Sequence, residues 1–499
     1  MTKSPTIAQA LAARIHAFGP GDLSPKARMR GRIGVIDTVA VALAGAGMDC
    51  VETLCAVPGV ADAPGPCTLI GRRGRVSMLD AALVNGTAAH ALDYDDFSSV
   101  FGGHQSAPIL PAVFALAEAE GHGGAAVMTA YAVGVETEIR IARAVHFHHY
   151  DKGWHPTATL GTFGSAAACA HLMGLGEAQI AMALALAVSQ AAGVKANFGT
   201  MTKPFHVGQC ARAGLLSALL ARQGFTANPA AFEHPQGFFE VFNGAGTYDP
   251  ARIFADWAAP LELEDDGIAI KPYPCCGSAH AAIRAALNLR AETGLDAAQI
   301  ARIDVLPHPR RLPHTDTPWP QTALEAKFSV QYLVARALMD GAVKLAHFDD
   351  AAIHDPGIAA LLAKLTARPH PEMGDHSTSQ WAAEVIGTTR TGAVLSHRID
   401  DLMAEGGALP LATGGLARQI HRLRRRHRPC GLVGGTVRSV GTLRHRARAW
   451  PHAGTAGRPH RPGGRGLIQA AFQRDQRALA SVGDMGAHST LGGDRVARA

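Results

Sequence analysis

Charged residues are scarce in this chain, at 18% of 499, aromatic residues scarcer at 6%, and cysteines number eight. The cysteines, at positions 50, 55, 67, 169, 210, 275, 276 and 430, follow no regular spacing. A chain of this length builds its core without covalent staples, so free thiols are expected. No apolar run approaches the roughly 20 residues of a bilayer span; the longest candidate, Ile180–Val188, runs into Ser189 and Gln190. The first 18 residues lack the continuous apolar stretch of a secretory signal and read as an amphipathic helix carrying Ile7, Leu11 and Ile15 on one face, which points to the cytoplasm. Phosphate-binding GxxxxGK[ST] is missing, and Gly45-Ala-Gly47 lacks both the third glycine and the preceding strand of a dinucleotide fingerprint. His146, His148, His149 and His155 cluster, yet neither HExxH nor a pair of CxxC motifs accompanies them, and adjacent Cys275 and Cys276 are poor geometry for one ion. No cofactor and no metal are therefore expected.

Hydrophobic residues, at 47%, are plentiful enough to exclude a chain disordered throughout, and the length allows two to four domains. From Ala8 to about Gly267 the pattern is helix after helix. Ser24 followed by Pro25 predicts a capped helix start, and apolar residues at helical spacing predict helices over Ala107–Glu120, Val127–Arg143, Thr162–Met173, Glu177–Ala192 and Val207–Gln223. After Lys271 the texture changes. Ile300–Leu306 alternates as a strand does, Ala382–Thr389 and Ala393–Ile399 read as a hairpin turning through Thr391, and Ala326–Asp340 and Asp355–Thr366 read as helices. The expected fold is mainly α: a large all-helical domain over residues 1–268, a smaller α+β lid over 269–405, and an irregular tail over 406–499.

The formal net charge of +6 misleads, because its sources are separated along the chain. From Leu411 onward there are 17 Arg, three Asp and no Lys or Glu, whereas the first 410 residues hold 30 Lys and Arg against 38 Asp and Glu. A basic arm for nucleic acid is one reading of the tail, but only Trp450 and Phe472 could stack on bases there, so a nucleic-acid partner is not expected. A solvated extension is another. We favour a third, a reading frame that slips between about Gly406 and Gly415, which the encoding DNA decides. An inactive product of a frameshifted gene is the matching functional alternative.

The most informative segment is Asn85–Pro111, where Asp93, Asp95 and Asp96 crowd just after a helix bearing His90, and His104 follows a Gly-Gly turn. A carboxylate near an imidazole orients it and tunes it for proton transfer at carbon. With Gly71–Asp80, Trp154-His155-Pro156-Thr157 leading to Gly161–Gly164, Gly199–His206, Lys271–Cys276 and Ala326–Tyr332, it resembles the MmgE/PrpD family of 2-methylcitrate dehydratases and cis-aconitate decarboxylases over roughly residues 5–405. The resemblance implies a helical domain with a lid, a homodimer, and a cofactor-free site between the domains acting on small polycarboxylates. It carries over Asp93, His104, His155, Lys203, Lys271 and Tyr332 as site residues: His104 as base or acid oriented by Asp93, Lys203 and Lys271 as carboxylate binders, His155 or Tyr332 as a second proton donor. Phe97 stands where the family usually has Thr and Gln105 where it has Pro. Cys276 replaces an active-site His of cis-aconitate decarboxylase, with His280 one helical turn on. The expected activity is therefore a hydro-lyase of the 2-methylcitrate dehydratase type, with epimerisation second and decarboxylation less favoured.

Overall fold

In the computed structural model, which describes residues 4–265, 268–374 and 379–402, the Ser24 hydroxyl accepts from the Ala27 amide at 3.0 Å and the helix it caps runs Pro25–Gly45. The remaining long helices of the first part are Ile7–Ala17, Met78–His90, Ser106–Glu120, Gly124–Asp151, Gly161–Leu172, Glu177–Val188 and Thr202–Arg222. Met78–His90 is the hub. Every residue from Ala81 to His90 is buried, which is why that stretch shows small residues all round instead of one apolar stripe. Against it lies Thr202–Arg222, so close that a Cβ on Gly208 would stand 2.1 Å from the Leu83 carbonyl oxygen and 2.2 Å from the Thr87 hydroxyl. This crossing carries the C-terminal end of one helix, with the loop beyond it, to the N-terminal turn of the other, where Lys203 sits.

A second hydrophobic cluster takes over beyond Leu263, running from Ala269 to Leu402 and reaching back to Phe97. Its sheet has four strands in the order Leu365–Ala367, Ile300–Pro307, Ala383–Thr389, Val394–Ile399; the first pair is parallel and the rest antiparallel. Helices His280–Thr293 and Val330–Asp340 pack with it. The two parts are stitched by a short antiparallel pair, Phe97–Ser98 with Ile268–Ala269, which sets Lys271 beside the Asp93 loop.

Two helix expectations are corrected. Ala326–Asp340 breaks at Phe328, because the Ser329 hydroxyl caps a new helix by accepting from the Tyr332 amide at 3.0 Å. Asp355–Thr366 ends as a helix at Leu362, since Leu365–Ala367 is recruited into the sheet. Among the described residues no single helix is long and apolar enough to cross a membrane. The tail beyond Leu402, and with it the frame-slip reading, lies outside the described residues.

Candidate active site

The loop after Met78–His90 turns sharply because Asp93 adopts φ +51°, a left-handed conformation that Asp tolerates better than most side chains. The turn aims its carboxylate at two ammonium groups. Lys203 Nζ donates to Asp93 Oδ1 at 2.7 Å, and Lys271 Nζ donates to the same oxygen at 3.0 Å and to the Asp93 carbonyl at 2.7 Å. Burial pushes the Asp93 carboxyl upward, but Lys203 and Lys271 override it and hold the group well below the usual carboxylate range. Burial likewise works against the Lys271 ammonium, yet Asp93 and Asp95 more than compensate, and its pKa rises.

His104 is placed by the Gly102-Gly103 turn. Gly102 has φ +66°, and a Cβ on Gly103 would come within 2.8 Å of the Thr157 hydroxyl, which itself accepts from the His104 amide at 3.1 Å. Its Nδ1 lies 3.1 Å from Asp95 Oδ2 and its Nε2 lies 3.5 Å from Asp93 Oδ1. Asp95 is shared, since His90 Nδ1 sits 2.9 Å from both of its oxygens. Burial raises Asp95, but the two imidazoles, His104 foremost, hold it far below its ordinary value. The Nδ1 approach is an ion-pair contact without an aligned hydrogen bond, but Asp95 is the nearer of the two ionised carboxylates and so favours hydrogen on Nδ1, leaving Nε2 as the basic nitrogen. Burial depresses the His104 pKa despite Asp95, so the ring is neutral near pH 7. The next residue along behaves oppositely: burial, reinforced by Asp95, pushes the Asp96 carboxyl up to about 7, while Ser106 donates to it at 2.6 Å.

A cavity of about 70 Å³ opens here, lined by Asp93, His104, His155, Lys203 and Lys271 together with Phe97, Cys276, Ser278, Arg311 and Trp381. Five of the six residues named from sequence thus share one cavity. His155 precedes the Pro156–Thr159 turn, with its Nδ1 3.3 Å from His206 Nδ1; burial, then Lys203, pushes it well below the ordinary imidazole value. Tyr332 is the exception and its assignment is corrected. It is buried in the second core, where its hydroxyl donates to the His347 carbonyl and accepts from Arg336 Nε at 3.1 Å, because its face of the Val330–Asp340 helix turns away from the cleft. His280 also stays out of the cavity, with Nε2 3.2 Å from the Cys275 carbonyl oxygen. Cys276 does line it, and burial raises its thiol pKa, so it offers no thiolate.

His90, Asp95, Ser278, Arg311 and Trp381 were not assigned from sequence. The first two stand in the Asn85–Pro111 segment and were legible as part of its acid-imidazole run; the other three come from separate lid loops and carry no local signal. His90, Asp93, Asp95 and His104 offer ligand atoms all within 4.8 Å of one another. A divalent ion would have to compete there with two ammonium groups already on Asp93, so the arrangement suits an anionic substrate better than a cation.

Residues 9–251 match the MmgE/PrpD N-terminal domain and residues 273–427 the MmgE/PrpD C-terminal domain. Among curated proteins the chain is similar to cis-aconitate decarboxylase of Homo sapiens, 29% identical over 408 residues, which is 79% of this chain and 83% of that protein. It is similar as well to the cis-aconitate decarboxylases of Mus musculus, 28% identical over 79% of this chain and 82% of the relative, and of Aspergillus terreus, 28% identical over 74% and 80%.

Proposed function

This chain belongs to the MmgE/PrpD family, and from that premise we propose that it is a lyase for a small polycarboxylate, in which His104 moves a proton at a carbon next to a carboxylate. The observation that carries the reading is the meeting of two buried ammonium groups, Lys203 and Lys271, with a neutral imidazole in one cleft. A carbon acid α to a carboxylate is weak because abstraction places a second negative charge on the carboxylate oxygens. Fixed cations at those oxygens lower that barrier, typically by several kcal/mol when the donors are preorganised away from water.

In the dehydration we favour, Nε2 of His104 takes the proton, the C–H pair flows into the carboxylate, and the aci-carboxylate then expels the β-hydroxyl. The leaving oxygen receives that proton back from His104, so water departs and a C=C bond remains, while His155, held neutral well below the usual imidazole range, lines the same wall as a polar contact and not as the acid. A second reading is decarboxylation, favoured by the activity that the names of the relatives carry. There CO₂ leaves first, the pair shifts through an existing double bond, and a protonated His104 delivers the proton to carbon.

The two readings differ in the sign of their pH dependence. A neutral His104 acting as base gives kcat/KM that rises to a plateau as pH climbs through its depressed pKa; a protonated His104 acting as acid gives a rate that falls over the same interval. Purified protein is incubated with 2-methylcitrate, citrate and cis-aconitate between pH 5 and 8, following absorbance of the unsaturated acid and release of CO₂. Water loss with a rising profile, unaffected by EDTA, is expected. Turnover that survives replacement of both His104 and Lys203 by Ala overturns the assignment.

A further inference from the structure

One cation in the cleft is used by none of these steps. Arg311 follows the Ile300–Pro307 strand and is fixed at two points: Nε donates to the Gln380 carbonyl at 3.0 Å, and the guanidinium lies 3.9 Å over the Trp381 ring. Its Nη2 is shielded from solvent and makes no hydrogen bond. Its neighbour Arg310 is paired with Asp151, whereas among the described residues no carboxylate lies within ion-pair distance of Arg311. A shielded N–H group of a cation left without a partner is costly to maintain, and the guanidinium's fork of N–H groups matches a carboxylate in shape as well as charge. Ser278 lines the same cavity, its hydroxyl 2.6 Å from His314 Nε2. If His314 carries its hydrogen on Nε2, the Ser278 hydroxyl is left to donate into the cavity.

We propose that Arg311, flanked by Ser278, receives a second and remote carboxylate of the substrate, so that the cleft selects di- and tricarboxylates over monoacids. The first carboxylate meets Lys203 and Lys271, the reacting carbon faces His104, and the far carboxylate reaches the lid wall. Trp381 and Phe97, their rings 5.3 Å apart, form an apolar boundary beside that subsite and limit how bulky the connecting chain can be. This rests on the polycarboxylate reading of the cleft but needs no turnover to be tested.

Three unreactive probes suffice: butyrate, glutarate and propane-1,2,3-tricarboxylate, titrated calorimetrically into the intact protein and into Arg311→Gln. Glutarate and the tricarboxylate are expected to bind the native protein at least about tenfold more tightly than butyrate, and to lose at least that factor in the variant, while butyrate is unchanged. Arg311→Lys, which keeps the charge but not the fork, is expected to fall between the two, and it serves if the Gln variant does not fold. Equal losses for all three probes, no loss for any, or no preference in the native protein overturns the subsite. Binding that behaves as described without turnover of any substrate leaves the subsite standing and sinks the lyase reading instead.

Discussion

A single oxygen of Asp93 receives both Lys203 and Lys271, and its backbone holds a left-handed turn at the same time. Asn adopts that conformation about as readily, so Asp93→Asn removes the charge and spares the turn. Two buried ammonium groups then lose their counter-ion, a change that costs about 3 kcal/mol in comparable buried pairs. We expect that loss in urea unfolding, together with a fall in kcat/KM of at least about 10²-fold because the carboxylate-binding cations are no longer held in place. Activity lost with stability unchanged would mean that the lysines shed their charge in the folded variant. That Asp93, His104, His155, Lys203 and Lys271 share one cavity was legible in the sequence because each sits in a short motif whose order along the chain points to a family. Tyr332 was misplaced by the same method: a motif fixes which helix a residue belongs to, not which way its face turns. Arg311 had no motif, since its unpaired state is a property of three-dimensional surroundings that an Arg-Arg pair in sequence does not display.

Between elements, the close crossing at Gly208, where a Cβ on Gly86 of the facing helix would stand 2.8 Å from the Gly208 Cα, decides where the site's two halves meet. Adding a methyl group at Gly208 meets backbone at Leu83 and the Thr87 hydroxyl, neither of which yields easily, so Gly208→Ala forces the Met78–His90 and Thr202–Arg222 helices apart. Overpacking of this kind costs about 1–3 kcal/mol, and here it also lengthens the Lys203–Asp93 contact. The expected result is a lowered thermal midpoint accompanied by a raised KM. A substitution at Gly121, φ +79° at the end of Ser106–Glu120 with open space around it, serves as the control: Gly121→Ala strains the cap and lowers stability but leaves KM alone. Equal KM changes in both variants would disprove the crossing's role in assembling the site. The helices of this first part were legible because caps and spacing are local signals, as at Ser24. Leu365–Ala367 was not, since pairing with Ile303–Val305 across some sixty residues leaves no trace in local periodicity. The break before Ser329 was overlooked for the opposite reason: its signal is one hydroxyl in an otherwise helical run.

Among the described residues, two opposed sets of buried groups govern how the whole molecule answers pH between 5 and 8. Eight imidazoles, His90, His104, His149, His155, His171, His206, His280 and His314, are held below their ordinary value, each chiefly by burial; His90 and His149 reach about 4, and His280 and His314 about 3. Four carboxyls, Asp37, Asp96, Glu136 and Glu138, are held above theirs, again chiefly by burial. As pH falls below about 6.5, the unfolded chain protonates its histidines while the folded protein keeps these rings neutral, so each imidazole costs stability down to its folded pKa. The raised carboxyls act the other way. They bind protons in the folded state before the unfolded chain does, and their contribution is lost as pH rises through the folded pKa, about 7 for Asp96. Imidazoles outnumber these carboxyls two to one, so the acid side dominates. Stability should therefore peak near neutrality and fall toward pH 5, with a gentler decline above pH 7. Urea midpoints measured at pH 5, 6, 7 and 8 check this. A midpoint unchanged down to pH 5 would overturn this account, because the excess of depressed imidazoles over raised carboxyls requires the unfolded chain to bind more protons than the folded one on the acid side.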